Sequence, residues 1–381
     1  MLPYWRLSGF YFFYFASLGA LIPFWGKFLH NRGFDEAAIG GLMSILMATK
    51  IVAPNIWGWL TDRGFNRLLL VRSAGLLSWL VFVFIYFADA FWPIALVMIV
   101  FSFFWNASLP QFEVVTLNAL GERAEYYTRI RVWGSFGFIL AASGLGLAVD
   151  RFGTGLLPTV VLLLMLGIWA STMLLPAMPD HQPHDDAIPL KHKLREPQVL
   201  ALLIVCFLIQ ASHGPYYSLY TLYMNTYGYS DSLIGALWAL GVGMEVVVFL
   251  IMVYLVPRFG LRTIFLTSIL LGAVRWMLIG SFAQWLWVQM IAQMLHAASF
   301  GSYHAVAIQL FHRFFTGRLQ GRGQALYSSL SFGAGGALGA LLSGWIWTLV
   351  APEVMFWMAS VWCLMAFVIA KKFILTPEIQ S

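Results

Sequence analysis

A chain of 381 residues that is 61% apolar and only 10% charged cannot hide its apolar side chains in a soluble core. Soluble domains are about 45–50% apolar and about 25% charged, so lipid must solvate much of this surface. The net charge of +6 comes from cations scattered singly between apolar runs, which excludes a nucleic-acid stripe; the two cysteines, Cys206 and Cys363, lie inside apolar runs and read as packing residues, not a disulfide framework.

A spanning helix needs about 20 apolar residues. On that ruler the first half predicts helices at 5–29, 37–60, 68–88, 92–118, 131–150 and 154–176. The second half predicts 197–226, 232–256, 262–283, 286–311, 324–349 and 354–373. The first run is too long for the apolar part of a cleavable signal peptide. The polar stretch 177–196, with Pro179, Pro183 and Pro189, separates six helices from six. The expected organisation is an N-terminal six-helix bundle (1–176), a cytoplasmic linker (177–196) and a C-terminal six-helix bundle (197–381). His181, His184, Asp185, Asp186 and His192 in the linker read as solvated, and neither a metal nor another cofactor is expected. With both termini in the cytoplasm, seventeen of the 22 cations fall on the cytoplasmic face and Lys27, Arg32 and Arg151 on the other. That asymmetry sets the orientation. The remaining two, Lys50 and Arg275, fall inside spans.

Between predicted helices 2 and 3 lies GWLTDRGFNR (58–67), a polar, turn-forming loop carrying Gly58, Asp62, Arg63 and Arg67. A weaker copy, VYLVPRFGLR with Arg258 and Arg262, follows 195 residues later and has Pro257 in place of Asp62. The same offset aligns Phe12, Ala16, Ser17 and Gly19 with Phe207, Ala211, Ser212 and Gly214. It also aligns Gly33, Ile39, Gly40 and Leu42 with Gly228, Ile234, Gly235 and Leu237. The halves start and end on the same side, so the repeat is parallel, and a substrate path is expected between them near the midplane.

Gly58-x-Leu60-x-Asp62-Arg63, with Arg67 following, resembles the loop 2–3 signature of the major facilitator superfamily. The resemblance covers essentially the whole chain. It implies an all-α membrane fold of twelve transmembrane helices in two pseudo-symmetric bundles and secondary transport by alternating access. It also implies a gating role for Gly58, Asp62, Arg63, Arg67 and Arg258, a monomer, and multi-pass residence in a bacterial cytoplasmic (inner) membrane with lipid as the surrounding partner.

Ionisable residues inside apolar spans cost several kcal/mol unless paired or hydrated, so each is a functional candidate. Lys50 and Glu245 occupy equivalent repeat positions, 195 residues apart. Lys50 is suited to attract an anionic or polar solute, and Glu245 to bind a proton or the solute; a structural ion pair is the bland alternative. Glu113, Arg131 and Phe138 resemble the lactose permease pattern of a carboxylate, an arginine and an aromatic lining the sugar site, although Phe138 stands where that family has Trp. Arg275 and His296 follow the same family on helices 9 and 10. There Gln293, His296 and Ser299 replace its Lys-x-x-His-x-x-Glu run, so the carboxylate of helix 10 is missing. Candidate proton carriers are then Glu245, His296, His304, His213 and Glu113, with Arg275 beside them; a histidine's ordinary pKa of about 6.5 suits that task.

In Ala211-Ser-His-Gly-Pro-Tyr-Tyr217, Pro215 supplies no backbone N–H, so helix 7 should kink or open there and leave His213, Tyr216 and Tyr217 facing freed backbone groups. Together with Glu245, Arg275, Trp276 and the histidines of helix 10, this stretch resembles the bacterial 3-phenylpropionate permease group. Gly335-x-x-x-Gly339-x-x-x-Ser343 reads as a close helix-packing stripe. There is no His-Glu-x-x-His run, no phosphate-binding loop and no metal-spaced Cys/His set, so an enzyme is not expected. The expected function is proton-coupled symport of a small organic solute, an aromatic carboxylate such as 3-phenylpropionate being favoured. A sugar or nucleoside symporter is the rival, and a non-transporting receptor or scaffold the alternative of another class.

Overall fold

The computed structural model describes residues 3–121, 123, 126–176, 193–316 and 319–374. Most of the linker, with His181, His184, Asp185, Asp186 and His192, lies outside the described residues. Among the described residues all regular structure is helical.

The chain begins with α1 (Tyr4–Asn31), α2 (Glu36–Asp62), α3 (Arg67–Phe87), α4 (Phe91–Leu120), α5 (Tyr126–Phe152), α6 (Leu157–Met173) and α7 (Pro197–Thr226). A helical run of 51 residues, Asp231–Ser281, breaks at Gly260 (φ 73°), dividing α8 (231–259) from α9 (261–281). Only glycine takes that backbone conformation without a Cβ penalty. α10 (286–314) contains a π-helical segment, Ala297–Ser302. α11 (Gln320–Leu349) contains another, Ser328–Gly335, and α12 (Pro352–Phe373) closes the described chain. Among the described residues, ten stretches meet the length and hydropathy of a membrane span as they stand. With the break at Gly260 and the run of α10, the inventory is consistent with the twelve expected spans. Phe87 and Trp92, at helix ends, are 79% and 78% exposed, and Leu140, Leu147, Leu163 and Leu250 are exposed within helices. Side chains of this kind need an apolar solvent.

The repeat is built into the turns. Gly33 (φ 88°) ends the α1 turn and Gly228 (φ 82°), at the equivalent position, ends that of α7. Two residues on, Asp35 accepts from the Ala38 N–H at 2.8 Å, while Ser230 accepts from the Leu233 N–H at 3.3 Å. Both are N-caps that satisfy a free donor of the next helix.

The chain forms two compact units, one of 1–184 with 218–239, the other of 185–217 with 240–381. In the first, α1 packs on α5 and α6. A Cβ on Gly19 would sit 2.7 Å from the Phe138 carbonyl, and one on Gly137 would strike that of Phe12. Small residues therefore set the α1–α5 spacing. The segment 218–239 belongs here because it is fastened to α1 and α5. Lys27 Nζ lies 2.5 Å from Asp231 Oδ2, and the Asp150 carboxylate accepts the backbone N–H groups of Asp231 and Ser232, each at 2.8 Å. A carboxylate on the first N–H groups of α8 complements its positive end.

In the second unit α7 packs on α12 and on the π segment of α11. A Cβ on Gly335 would approach the Phe207 carbonyl to 2.5 Å, one on Gly339 would strike that of Ala211, and one on Gly214 would strike the backbone of Gly339 and Ala340. Gly335, Gly339 and buried Ser343 are thus the packing stripe expected from their spacing.

Candidate functional site

Helix α7 is interrupted at His213, between Ser212 and Gly214. Pro215 two residues later has no N–H to give the Ala211 carbonyl, and its ring crowds that group. The interruption turns His213 inward. Its Nδ1 sits 2.8 Å from the Ile209 carbonyl, which can only accept, so Nδ1 carries the proton. Its ring meets Trp276 edge-on at 4.9 Å and lies 5.6 Å from Tyr217 and 6.2 Å from His296.

Arg275, on α9, is fully buried. Its guanidinium lies 4.3 Å from the ring of Tyr216 and 4.3 Å from that of Trp276. Nε donates to the Ala292 carbonyl at 3.1 Å and a terminal nitrogen to Ser299 Oγ at 3.4 Å. Tyr216 in turn donates to Gln293 Oε1 at 2.8 Å, and Trp276 Nε1 to Ser212 Oγ at 3.1 Å. Ring faces attract cations more strongly where water is excluded, so the charge is held by aromatic faces as well as by oxygens.

Glu245, on α8, reaches His296 Nε2 at 3.5 Å, with 13% of the carboxylate side chain and 6% of the imidazole exposed. The His296 ring stacks on Phe300 (5.4 Å, 10°), Phe300 stacks on His304 (5.7 Å, 8°), and His304 Nδ1 is 2.8 Å from the Tyr327 hydroxyl. His296, Phe300 and His304 make one column along α10, running through its π segment. Such segments are frequent at functional sites. The second unit therefore gathers His213, Tyr216, Tyr217, Glu245, Arg275 and His296, and Phe300 links His304 to them. A carboxylate and an imidazole in contact, shielded from water, form a pair that can share a proton.

In the first unit, Arg131 Nε lies 3.9 Å from Glu113 Oε1, and Tyr127 donates to the same oxygen at 3.3 Å. The Arg131 guanidinium covers the Phe15 ring at 4.0 Å, and Tyr11 is 5.6 Å away. Phe138 is buried elsewhere, 6.2 Å from Trp238. The ring beneath the arginine is thus Phe15, which the family pattern did not mark. Lys50, midway along α2, is half-buried. Its Nζ has the Met47 sulfur at 3.6 Å and no carboxylate at ion-pair distance among the described residues.

At the 58–67 loop, Gly58 has open space around it and Asp62 is the exposed last residue of α2. Arg63 stacks on Trp59 at 3.8 Å. Arg67 is buried and donates to Gln111 Oε1 at 2.9 Å, while Asn66 caps α3 by accepting from the Leu69 N–H at 3.0 Å. Arg258, in the second copy, is exposed with Phe259 5.4 Å away. Sequence reasoning passed over Phe15, Tyr127, Phe300 and Tyr327. Their one available signal was aromatic spacing along predicted helices, which buried packing rings share. Among the described residues no three His, Cys, Asp or Glu side chains come close enough to hold a metal ion.

Apolar helices of membrane-spanning length with ionisable groups held inside them are the parts a membrane transporter needs. The chain belongs to the MFS_1 like family, whose model matches residues 4–358. It is 29% identical to a probable 3-phenylpropionic acid transporter of Escherichia coli, across 95% of this chain and 96% of that protein. It is 25% identical to a maltose permease of Geobacillus stearothermophilus, across 88% of this chain and 86% of the permease. The fold is similar to crystal structures of the nucleoside transporter NupG (TM-score 0.85, 15% identity, 99% and 100% of the two chains) and of the POT family transporter PepTSo (TM-score 0.78, 10% identity, 100% and 98%). These relatives are transporters, not enzymes. With the apolar helices, they make this a multi-pass inner-membrane protein that carries a small molecule.

Proposed function

We propose that the protein is a proton-coupled symporter of an aryl carboxylate of the 3-phenylpropionate kind, working by alternating access. The observation that carries the substrate class is Lys50. Arg131 has Glu113 and Lys27 has Asp231, but Lys50 has a thioether for its neighbour. A half-buried ammonium in a membrane helix is costly until an anion joins it, and a solute carboxylate supplies that anion. The name of the Escherichia coli relative supports the same class.

Glu245 and His296 are the proton site in this reading, with Arg275, His213 and His304 as its surroundings. Glu113, Arg131, Tyr216 and Tyr217 contribute to substrate binding, with Phe15 in the place expected of Phe138. Gly58, Asp62, Arg63, Arg67 and Arg258 control gating. The working form is a monomer with both termini in the cytoplasm, built of bundles 1–176 and 197–381 joined by the linker 177–196. A second reading, symport of a sugar or nucleoside, is favoured by the Glu113–Arg131 pair, which offers both an acceptor and donors over an aromatic face, and by the maltose permease relative.

The test is Lys50→Gln. The KM for 3-phenylpropionate should rise about tenfold, the equivalent of about 1.4 kcal/mol, with the protein still folded in the membrane. An unchanged KM would remove the carboxylate reading and leave the sugar or nucleoside one.

A further inference from the structure

We propose that Asn106 is a positioning residue for Lys50: a buried hydrogen-bond clamp from α4 sets the α2 turn that aims the ammonium at the solute carboxylate. The proposal rests on the reading of Lys50 as the carboxylate's partner. Asn106 is 4% exposed, and its amide gives both donors to that single turn, one to the Leu46 carbonyl and one to Thr49 Oγ1, each at 2.9 Å. Thr49 Oγ1 is also 3.0 Å from Ser102 Oγ, which is fully buried. With the amide donating to it, the Thr49 hydroxyl is left to give its own proton to Ser102 or to the Leu46 carbonyl at 3.4 Å. The rotamer of the residue immediately before Lys50 is thereby fixed.

The local backbone makes this clamp matter. Pro54 lies inside α2, four residues after Lys50. It has no N–H, so the Lys50 carbonyl loses the helical donor it would otherwise have. A helix missing a rung there can bend or rotate at the turn that bears the ammonium. Asn106 grips the N-terminal side of the gap through Leu46 and Thr49. On the other side Asn55 Nδ2 donates to the Ile51 carbonyl at 2.7 Å. Polar side chains between membrane helices also serve packing alone. Here the clamp's donors both fall on the turn Leu46–Lys50, and among the described residues the Met47 sulfur is the hydrogen-bond partner of Nζ, so the turn's orientation decides where the charge points.

The experiment is a double-mutant cycle read by ligand affinity. Wild type, Asn106→Leu, Lys50→Gln and the double variant are purified, their melting temperatures are measured, and each is titrated with 3-phenylpropionate and with its uncharged amide. Asn106→Leu should weaken carboxylate binding about tenfold and leave the amide nearly unchanged. The double variant should be no weaker than Lys50→Gln, because the two act through one contact. Equal weakening of both ligands, or full additivity with Lys50→Gln, would overturn the positioning role in favour of packing. If Lys50→Gln leaves carboxylate affinity intact, the substrate reading falls, and this proposal with it. Should Asn106→Leu fail to fold, Thr49→Val isosterically removes one of its two bonds, the one to Thr49 Oγ1. It should then shift the carboxylate-to-amide ratio in the same direction, and an unmoved ratio would overturn the proposal.

Discussion

Replacing Glu245 by Gln should uncouple transport from the proton gradient while sparing exchange. The carboxylate lies 3.5 Å from His296 Nε2, with the two side chains 13% and 6% exposed. At that distance Coulomb's law with an effective dielectric of about 20 gives about 5 kcal/mol between the ionised groups. A pH gradient of about one unit supplies only about 1.4 kcal/mol per proton, a factor of about ten in accumulation. An ion pair of that strength would hold a carried proton's charge firmly, and a Gln amide takes up no proton at working pH, so Glu245→Gln keeps the shape of the site and loses its proton carrier. The assay uses purified protein in liposomes under an imposed pH gradient, with labelled 3-phenylpropionate. Protein-free liposomes are subtracted, because the undissociated acid crosses bilayers unaided. Wild type should accumulate the solute several-fold. Glu245→Gln should only equilibrate it, yet should exchange labelled for unlabelled solute at a near-normal rate. Gradient-driven accumulation by the variant at the wild-type level would refute the placement of the proton site on this pair.

Gly214→Val should cripple folding, since its Cβ would strike the backbone of Gly339 and Ala340, which cannot rotate aside. A loss of about 3 kcal/mol or more is expected, read as a fall in melting temperature and in folded protein recovered from membranes. Lys27→Met removes the partner of a carboxylate that is only 6% exposed and should loosen the start of α8 by about 2 kcal/mol. Exchange across 231–239 that speeds up relative to α9 would show it, and unchanged exchange would mean that the Asp150 and Ser230 caps hold the segment without Lys27. Asp62→Asn should slow transport several-fold with solute affinity within about twofold, whereas equal loss of both would give the 58–67 loop a different role.

The large features were legible because each has a physical signature in one dimension. Runs of about 20 apolar residues mark spans. The glycines at Gly33 and Gly228 mark turns that need positive φ, and Pro215 marks the interruption of α7. Glu113, Arg131, Glu245 and His296 stood out because charge is rare and costly in such helices; the structure places Glu113 beside Arg131 and Glu245 beside His296, whereas the repeat register sets Glu245 against Lys50. What escaped were groups whose meaning depends on the facing helix. Phe15 is one of 32 phenylalanines until Arg131 is seen lying on it. Asn106, Ser102 and Thr49 look like ordinary polar interruptions until α4 is laid against α2. The π segments of α10 and α11 were invisible as well, since a local change in the winding of a helix alters its hydrogen bonding without changing its composition.

In the function proposed above, Lys50 seats a carboxylate that enters with a proton. The most direct test is uptake by the purified protein in liposomes from a panel of 3-phenylpropionate, its amide, maltose and a nucleoside, with and without an inward proton gradient. Gradient-driven uptake of the carboxylate alone is expected, abolished by a protonophore and weakened about tenfold in KM by Lys50→Gln. Gradient-driven uptake of maltose or the nucleoside, with none of the carboxylate, would contradict that function.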